Sequence, residues 1–337
     1  MATMLTRPIR RVLLGVTVLV VLVAGWFILQ IDPIFAGKGK EVIVTVHPGD
    51  SLATIAGELH ADGVIASPFA FRLENLFLGT PLIRAGTYEF RQGSSFASVR
   101  AILGAAPNVV VVTVSPGLTL HEVAHNLVSI KGAKFANAFV ADATTKQTPS
   151  TFDQGTSLEG LIGARNYVIK PTTTPRELVK DMVRSFQKEA ASVGLTPSTV
   201  VGGLNAYQLI VAASIVEKEG YYPRNMPQVA RVIFNRLARG GPLQMDATVL
   251  YFLGRDGGAV THIMLETPTP YNTYLNTGLT PTPICAVSTF ALKAVLHAPA
   301  GPWLYFTVIN KRGDEAFSTT FAQQLKNERL AASRGVG

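Results

Sequence analysis

The sequence contains almost no cysteine. Cys285 is the only one among 337 residues, so the chain can form neither an internal disulfide nor a cluster of thiolate metal ligands. Acidic residues are few as well: 22 stand against 30 basic ones, which gives a net charge of +8 at pH 7. This charge suits an anionic partner such as phospholipid, a cell-wall polymer or nucleic acid. No zinc finger, recognition signature or basic run interleaved with aromatic residues accompanies it, so we predict no nucleic-acid partner.

Charged side chains are absent from one long segment near the N-terminus. Residues 12–31 are mostly apolar and can cross a bilayer as a helix, with Trp26 near the far interface. Three basic residues precede this segment and, by the positive-inside rule, hold the N-terminus in the cytoplasm: Arg7, Arg10 and Arg11. We therefore predict a cytoplasmic tail at 1–11, a single transmembrane anchor at 12–31 in the cell (inner) membrane, and an extracytoplasmic or periplasmic remainder. A cleaved signal peptide is the alternative, but the apolar segment is too long for one.

A strand, a Pro-Gly turn and a helix are predicted twice in the next part of the chain. The first copy starts at Glu41 and the second at Thr113, and the copies share Thr, Val, Pro, Gly, Leu and Ala at matching positions. The first copy resembles the opening strand and helix of a LysM module, a small fold that binds glycans containing N-acetylglucosamine. After a linker at 32–40, we therefore predict a LysM-like α+β subdomain at 41–108.

The second copy contains a motif typical of zinc peptidases. His121-Glu122-Val123-Ala124-His125 fits the H-E-x-x-H pattern, in which two histidines on one helix face hold zinc. However, the predicted helix has barely begun here, and Val128 and Lys131 stand where the longer metzincin motif needs glycine and histidine. Glu159 could be a third ligand, yet the first copy lacks both histidines. A zinc peptidase is therefore a disfavoured alternative, and we predict no metal.

The strongest pattern is one apolar helix that ends in two acids. Residues 205–208 fit a capping box and Gly220 fits a left-handed stop, which together predict a helix over 206–219. The body of this helix is apolar on every side, as in a core helix, yet Glu217 and Glu219 stand at its C-terminal end. Apolar neighbours and the negative end of the helix dipole disfavour an ionised carboxylate there. Both effects raise a carboxyl pKa, as a general acid requires.

The two acids cannot share one face, because residues two apart lie on different sides of a helix. Glu219 stacks over Ile215, which is a drier setting than that of Glu217 over Ser214. We predict that Glu219 is the catalytic acid and that Glu217 is a supporting residue or the alternative acid. Solvated surface acids, neutralised by Lys218, are the other interpretation.

The chain beyond this helix is rich in amides, hydroxyls and aromatic rings. Such side chains suit a sugar-binding cleft, because rings stack on pyranose faces and amides bond to sugar hydroxyls. Seven residues are candidates for substrate binding: Gln244, Asp246, Thr248, Tyr271, Asn272, Thr273 and Tyr274. Ordinary loop chemistry is the alternative.

Several runs of residues stand in one order along the chain. They are Ala-Ser-Ile-Val-Glu-Lys-Glu at 213–219, Leu-Gln-Met-Asp-Ala-Thr-Val at 243–249, Pro-Tyr-Asn-Thr-Tyr at 270–274, Gly-Leu-Thr-Pro-Thr-Pro-Ile at 278–284, Leu-Tyr-Phe at 304–306 and Phe-Ser at 317–318. With the anchor and the LysM-like segment before them, these runs resemble the endolytic murein transglycosylase (YceG-like) family over nearly the whole chain.

The resemblance implies an α+β fold with a mainly helical catalytic domain at 109–330 and a C-terminal tail at 331–337. It implies a membrane-bound lytic transglycosylase that cuts the MurNAc-β-1,4-GlcNAc bond within nascent peptidoglycan strands. The products carry 1,6-anhydro-MurNAc ends, and the cleavage terminates glycan elongation. The resemblance also implies that Glu219 is the catalytic glutamate, adds Tyr305 to the substrate-binding residues and needs no cofactor. Peptidoglycan strands are then the substrate, and membrane peptidoglycan synthases are expected partners.

Three positions depart from the family pattern. Segment 159–166 lacks the usual Pro-Asp pair, Glu315 replaces a histidine, and Gly220 follows the catalytic run where other lytic transglycosylases have serine. Because the catalytic run is intact, we expect any effect to fall on substrate preference or rate. Two further classes stay open: a non-catalytic peptidoglycan-binding scaffold, and a hydrolytic muramidase that would leave reducing ends.

Overall fold

The fold is mixed α+β and mostly helical. The computed structural model describes residues 7–31, 39–145, 148–152, 154, 157–220 and 222–336. The helices of this part are α1 (Arg7–Ile31), α2 (Leu52–Ala61), α3 (Pro68–Leu78), α4 (Phe96–Gly104), α5 (Leu120–Lys131), α6 (Ala133–Thr144), α7 (Pro175–Ser192), α8 (Ala206–Glu219), α9 (Met226–Ala238), α10 (Asp246–Phe252), α11 (His262–Leu265), α12 (Thr289–Leu296) and α13 (Phe321–Ser333). The strands are β1 (Glu41–Val46), β2 (Gly86–Arg91), β3 (Val110–Thr113), β4 (Asn166–Ile169), β5 (Val200–Val201), β6 (Leu204–Asn205), β7 (Tyr305–Val308) and β8 (Glu315–Ser318), and they pair consecutively into two-stranded sheets.

The chain divides into two compact units. One comprises the described residues up to Val111 together with Val168–Thr172, and the other comprises Val112–Tyr167 and the chain from Thr173 onward. The helix that ends in two acids lies in the second unit.

The predicted anchor at 12–31 lies on α1. The side chains of residues 12, 13, 24 and 28–31 lie outside the described part of the chain, while the apolar side chains between Leu14 and Val23 are exposed. Across the residues that the structure describes, no helix combines the length and the apolar character that a membrane span needs. The anchor therefore stays a prediction.

The first unit is built on an antiparallel pair of strands. β1 and β2 pair from Glu41 opposite Arg91 to Val46 opposite Gly86. Alternate residues point to one face, so Val44 and Val46 are buried while their neighbours are more exposed. Helices α2, α3 and α4 pack on this face, each beginning at a serine that caps its first turn.

The second unit is helical around α8. The predicted bounds of this helix are confirmed, and Asn205 and Gln208 form the capping box. Every side chain from Leu209 to Val216 is buried, so α8 is a core helix. Burial of each large apolar side chain stabilises the fold by about 1.5–3 kcal/mol. Helices α9, α10 and α12 contact it.

The second strand-turn-helix copy is also observed, as β3 followed by α5, which starts at a capping box on Thr119.

The predicted left-handed conformation of Gly220 was wrong, although the helix does end there. Gly220 ends α8, but its φ of −84° lies outside the left-handed region. A side chain at this position would come within 2.8 Å of Met226 Cγ and 3.0 Å of the Val216 carbonyl oxygen. Glycine is therefore required by the close approach of α9 to the end of α8.

Candidate active site

Glu219 is the last residue of α8, and its carboxyl group meets the beginning of α10. Its Oε1 accepts a hydrogen bond of 3.2 Å from the backbone N–H of Ala247, one of the donors that a helix leaves free in its first turn. Burial raises the pKa of Glu219 to about 7, and the negative charge of Asp246 adds to the rise. The Ala247 N–H and the charges of Arg236 and Lys218 act in the opposite direction. A carboxyl with this pKa is protonated in a large fraction of molecules at neutral pH, as a general acid must be.

The Glu219 side chain reaches a cleft of about 470 Å³. The cleft is lined by Glu219, Arg236, Gln244, Met245, Asp246, Tyr274, Tyr305, Phe306, Thr307, Phe321, Gln324 and Glu328. The structure therefore brings four of the predicted substrate-binding residues together with the predicted acid: Gln244, Asp246, Tyr274 and Tyr305. This mixture of rings, amides and charges can hold a sugar on its faces and hydroxyls.

The floor of the cleft is held in a strained backbone conformation. Gln244 has φ of +50°, and among the described residues other than glycine it alone has a positive φ. Its N–H donates to the Thr273 carbonyl at 2.9 Å, which fixes it beside the turn that carries Tyr274. The Tyr274 hydroxyl in turn donates to Asp246 Oδ1. Strain of this kind persists only where the surroundings enforce it, and it is common at functional sites.

Arg236 is a cleft residue that we did not predict. Its guanidinium donates to the carbonyls of Leu243 and Leu304, the latter at 2.7 Å, and lies 5.4 Å from the ring centre of Tyr305. Burial lowers its pKa, but an arginine stays charged. It is therefore a fixed positive charge facing Glu219. Arg236 lies in the last turn of α9, an amphipathic helix, where a basic residue is common. Its local sequence therefore did not indicate a role in the site.

Glu217 points away from this cleft. Its Oε2 accepts from the Ser288 N–H at 2.8 Å and from the Ser288 hydroxyl at 2.6 Å, at the start of α12. Burial raises its pKa, while the two bonds from Ser288 lower it. Ser214, one turn earlier on the same face, accepts from the Ile284 N–H at 3.0 Å. This face of α8 therefore holds the 284–288 segment, and the geometry gives Glu217 a structural role.

Three predicted substrate-binding residues are buried and lie outside the lining of the cleft. Thr248 and Thr273 bond to each other at 2.9 Å, and Thr273 also accepts from the Met245 N–H. Asn272 donates to the carbonyls of Leu265 and Thr267. These side chains fix the turn and α10 from inside, so in this structure they do not reach a substrate. The amides and hydroxyls that suggested a sugar site serve the protein backbone at these positions.

Tyr271 lies in a different cavity, beside a second buried acid. The Leu120 N–H donates to both carboxyl oxygens of Glu159, each 3.2 Å from the Leu120 nitrogen. Glu159 Oε2 also accepts from the Tyr251 hydroxyl at 3.3 Å. Burial raises the pKa of Glu159 to about 7, against the effect of these hydrogen bonds. From the sequence, Glu159 was the first residue of the segment that departs from the family pattern, and the role considered for it was that of a zinc ligand. Its actual partners lie 39 and 92 residues away in the chain, so no local pattern reveals them.

The glutamate of the H-E-x-x-H motif caps a helix. Glu122 Oε2 accepts from the Thr119 N–H at 2.7 Å and from its hydroxyl at 2.9 Å. Within the described part of the chain, the three-residue group with ligand atoms close enough for a metal is His47, Asp50 and Glu58 in the first unit. The geometry therefore gives the zinc-peptidase alternative no support.

The departures from the family pattern lie outside the lining of the Glu219 cleft. Arg165 occupies the position of the usual aspartate, and its guanidinium lies 3.4 Å from the Ser185 hydroxyl on α7. Gly163 approaches the same helix so closely that a side chain would come within 2.7 Å of Ser185 Cβ. Glu315 lies on β8 opposite Val308. The altered segment thus packs against α7 in this protein.

The fold and cleft define a mixed α+β protein with one protonatable carboxyl at the end of a buried helix, facing aromatic and amide side chains. The sequence model of the YceG-like family matches residues 44–330, and the chain belongs to this family.

Named relatives agree with this assignment. The chain is 26% identical over 314 residues to the endolytic murein transglycosylase of Bacillus subtilis strain 168, covering 88% of this chain and 86% of that protein. It is 27% identical over 308 residues to the endolytic murein transglycosylase of Streptococcus pneumoniae R6, covering 81% of this chain but 55% of that longer protein. A crystal structure of a YceG-like protein from Listeria monocytogenes superposes with a TM-score of 0.57 at 22% identity, covering 85% of this chain and 98% of that one, and shows the same fold.

Proposed function

We propose that this protein is an endolytic lytic transglycosylase that cuts peptidoglycan strands with Glu219 as its acid. The observation that carries the proposal is a carboxyl of pKa about 7 at the end of a buried helix, opening into a cleft lined by rings and amides. The names of the relatives support the substrate class.

The reaction uses one carboxyl in two roles. Protonated Glu219 donates its proton to the oxygen of the β-1,4 bond between MurNAc and GlcNAc while the bond from MurNAc C1 to that oxygen breaks. The C6 hydroxyl of the same MurNAc bonds to C1 and returns a proton to the Glu219 carboxylate. The GlcNAc side keeps a free 4-hydroxyl, the MurNAc side becomes a 1,6-anhydro end, and no water is consumed. Ordinary glycoside hydrolysis needs a second working carboxylate, whereas this route does not.

Arg236 and Asp246 set the balance of charge around this acid. The nearby negative charge keeps the proton on Glu219 before the reaction, and the fixed positive charge stabilises the carboxylate that forms when the proton leaves. Both groups line the same cleft as Glu219. The site therefore supports proton donation followed by proton return.

The proposal includes a membrane anchor and an extracytoplasmic catalytic unit. It is supported by the uncharged segment 12–31, by the arginines that precede it and by the exposed leucines and valines of α1. The enzyme would then act on strands as membrane peptidoglycan synthases extend them, and so end their elongation. The synthases are expected partners on this basis.

The test is product analysis with the full chain in detergent. We expect wild type to release 1,6-anhydro-MurNAc ends from uncrosslinked peptidoglycan, and Glu219→Gln to lose at least about 10²-fold in rate. Glu217→Gln is the matched control, because its side chain bonds to Ser288 and should leave the rate within a few-fold of wild type. Mass spectrometry of the new ends gives the readout.

Three outcomes would contradict parts of the proposal. Reducing ends would show a hydrolytic muramidase, with Asp246 as the nearest candidate for the second carboxylate. Loss of activity only in Glu217→Gln would move the acid to the other face of α8. A folded wild type that binds strands without cutting them would be a scaffold.

A further inference from the structure

A second cavity of about 460 Å³ lies in the catalytic unit, apart from the Glu219 lining. One of its walls is a group of three aromatic rings. The ring centres of Tyr251 and Tyr271 are 5.1 Å apart, and Phe252 stacks on Tyr271 with centres 6.4 Å apart and an angle of 24°. Phe252 is 49% exposed, although burying it would be favourable. An exposed, ordered aromatic wall is typical of a ligand site.

The two cavities are neighbours, because the same two segments line both. Helix α10 contributes its first residue, Asp246, to the Glu219 cleft and its last two residues to the second cavity. The turn after Thr269 contributes Tyr274 to the cleft and Tyr271 to the second cavity. At about 1.5 Å of rise per residue, the two ends of α10 are about 9 Å apart. A polymer lying along α10 would contact both places.

The aromatic wall is held in position from behind. The Tyr251 hydroxyl donates to Glu159, whose carboxyl group also accepts from the backbone at the start of α5. The Tyr271 hydroxyl bonds to the Thr282 hydroxyl at 2.9 Å. Both tyrosine hydroxyls are therefore engaged, so the rings are fixed before any ligand binds. Such preorganisation lowers the entropy cost of binding.

The rim carries groups that can bond to sugar hydroxyls and acidic substituents. His121 and Arg255 line the cavity with exposed side chains, and Glu122 Oε2 accepts the capping bonds from Thr119. The first histidine of the H-E-x-x-H motif thus faces a cavity with aromatic and cationic walls. This chemistry suits a saccharide.

We propose that this second cavity is a saccharide-binding site, which holds a part of the glycan strand away from the bond that is cut, with Phe252 and Tyr271 stacking on a sugar ring. The inference rests on the proposed function, because it takes the strand in the Glu219 cleft as its starting point. It explains how an enzyme that cuts inside a strand would favour long strands over short fragments.

The experiment measures binding and cleavage separately, on the full chain. Binding of long uncrosslinked strands and of the shortest fragment that wild type cleaves is measured by calorimetry in a Glu219→Gln background, which prevents turnover. In this background we expect Phe252→Ala to weaken binding of long strands about five- to tenfold and to leave binding of the short fragment unchanged. With Glu219 intact, we expect the same substitution to raise KM for long strands without changing kcat. Phe252→Trp should bind long strands about as tightly as wild type, since it keeps an aromatic ring.

The matched control is Phe290→Ala, which removes another exposed phenylalanine, 58% against 49% for Phe252, from α12 and outside both cavities. Equal affinity of Phe252→Ala and wild type for long strands would overturn the proposal. A loss of the same size for long strands and short fragments would overturn it as well, because a distal site acts only on long strands. Failure of wild type to cleave at all would count against the proposed function, while the affinities of wild type and Phe252→Ala for long strands would still decide whether this cavity binds a saccharide.

Discussion

The acidity of Glu219 comes from a few identifiable neighbours. Burial at the end of α8 disfavours its carboxylate, and Asp246 adds a second negative charge in the same cleft. The backbone N–H of Ala247 and the charge of Arg236 oppose these effects. The resulting pKa of about 7 is a balance, so a single change of charge should move it.

Asp246→Asn should shift the pH dependence of cleavage. Removing this negative charge lowers the pKa of Glu219, so the proton needed for catalysis is lost at a lower pH. We expect the alkaline limb of kcat/KM against pH to move toward lower pH, with a lower rate at neutral pH. Initial rates of anhydro-end formation across the neutral range provide the measurement.

Glu328→Gln is the matched control for this change. It changes an acid in the lining of the same cleft, but the main charges that shift the pKa of Glu219 are those of Asp246, Arg236 and Lys218. Its alkaline limb should coincide with that of wild type. If Asp246→Asn leaves the limb in place, Asp246 does not govern the acidity of Glu219.

At the scale of elements, local sequence patterns predicted helices well. The capping box predicted at Asn205 gave the start of α8, and the structure shows capping boxes of the same kind at Thr119 and Thr174, at the starts of α5 and α7. These signals lie within four residues of the helix end that they set. Secondary structure determined by such short-range bonds can therefore be predicted from sequence.

The tertiary partners of site residues were not predictable in this way. Thr248 and Thr273 were expected to face substrate, yet they bond to each other across 25 residues and are buried. Glu159 reaches Tyr251 across 92 residues. A hydroxyl or carboxyl has the same local appearance whether its partner is a ligand or a distant helix. Only the packing of elements decides between these roles.

Gly160 lies in a turn that packs closely against Pro283. Its φ is +71°, and a side chain there would overlap the ring of Pro283. Gly160→Ala should therefore combine backbone strain with a steric clash and destabilise the protein by about 2–4 kcal/mol. Urea unfolding gives the free energy.

Gly194→Ala separates the two causes. Gly194 has a similar φ of +84° but nothing within 4 Å of the position of a side chain. This variant should lose only the backbone part, about 1–2 kcal/mol. Equal losses in the two variants would show that the contact with Pro283 has no cost.

At the scale of the whole molecule, two protonated acids link folding to pH. Burial raises the pKa of both Glu159 and Glu219 from 4.5 to about 7. Between these values the folded protein keeps protons that the unfolded chain releases. The contribution of these two acids to the free energy of unfolding is therefore fully present below pH 4.5 and is lost as the pH rises through about 7. Each acid contributes up to about 3 kcal/mol to this change.

Glu159→Gln should flatten this pH dependence, because glutamine has no proton to lose. We expect the difference in unfolding free energy between variant and wild type to change by about 3 kcal/mol from pH 4.5 to 7, in the direction that favours the variant at the higher pH. Urea unfolding of the full chain in detergent at several pH values gives the difference. A difference that stays constant with pH would mean that Glu159 ionises in the folded protein as it does in the unfolded chain. In that case the Tyr251 hydroxyl would donate to a Glu159 carboxylate, and not to a protonated acid, at every pH well above 4.5.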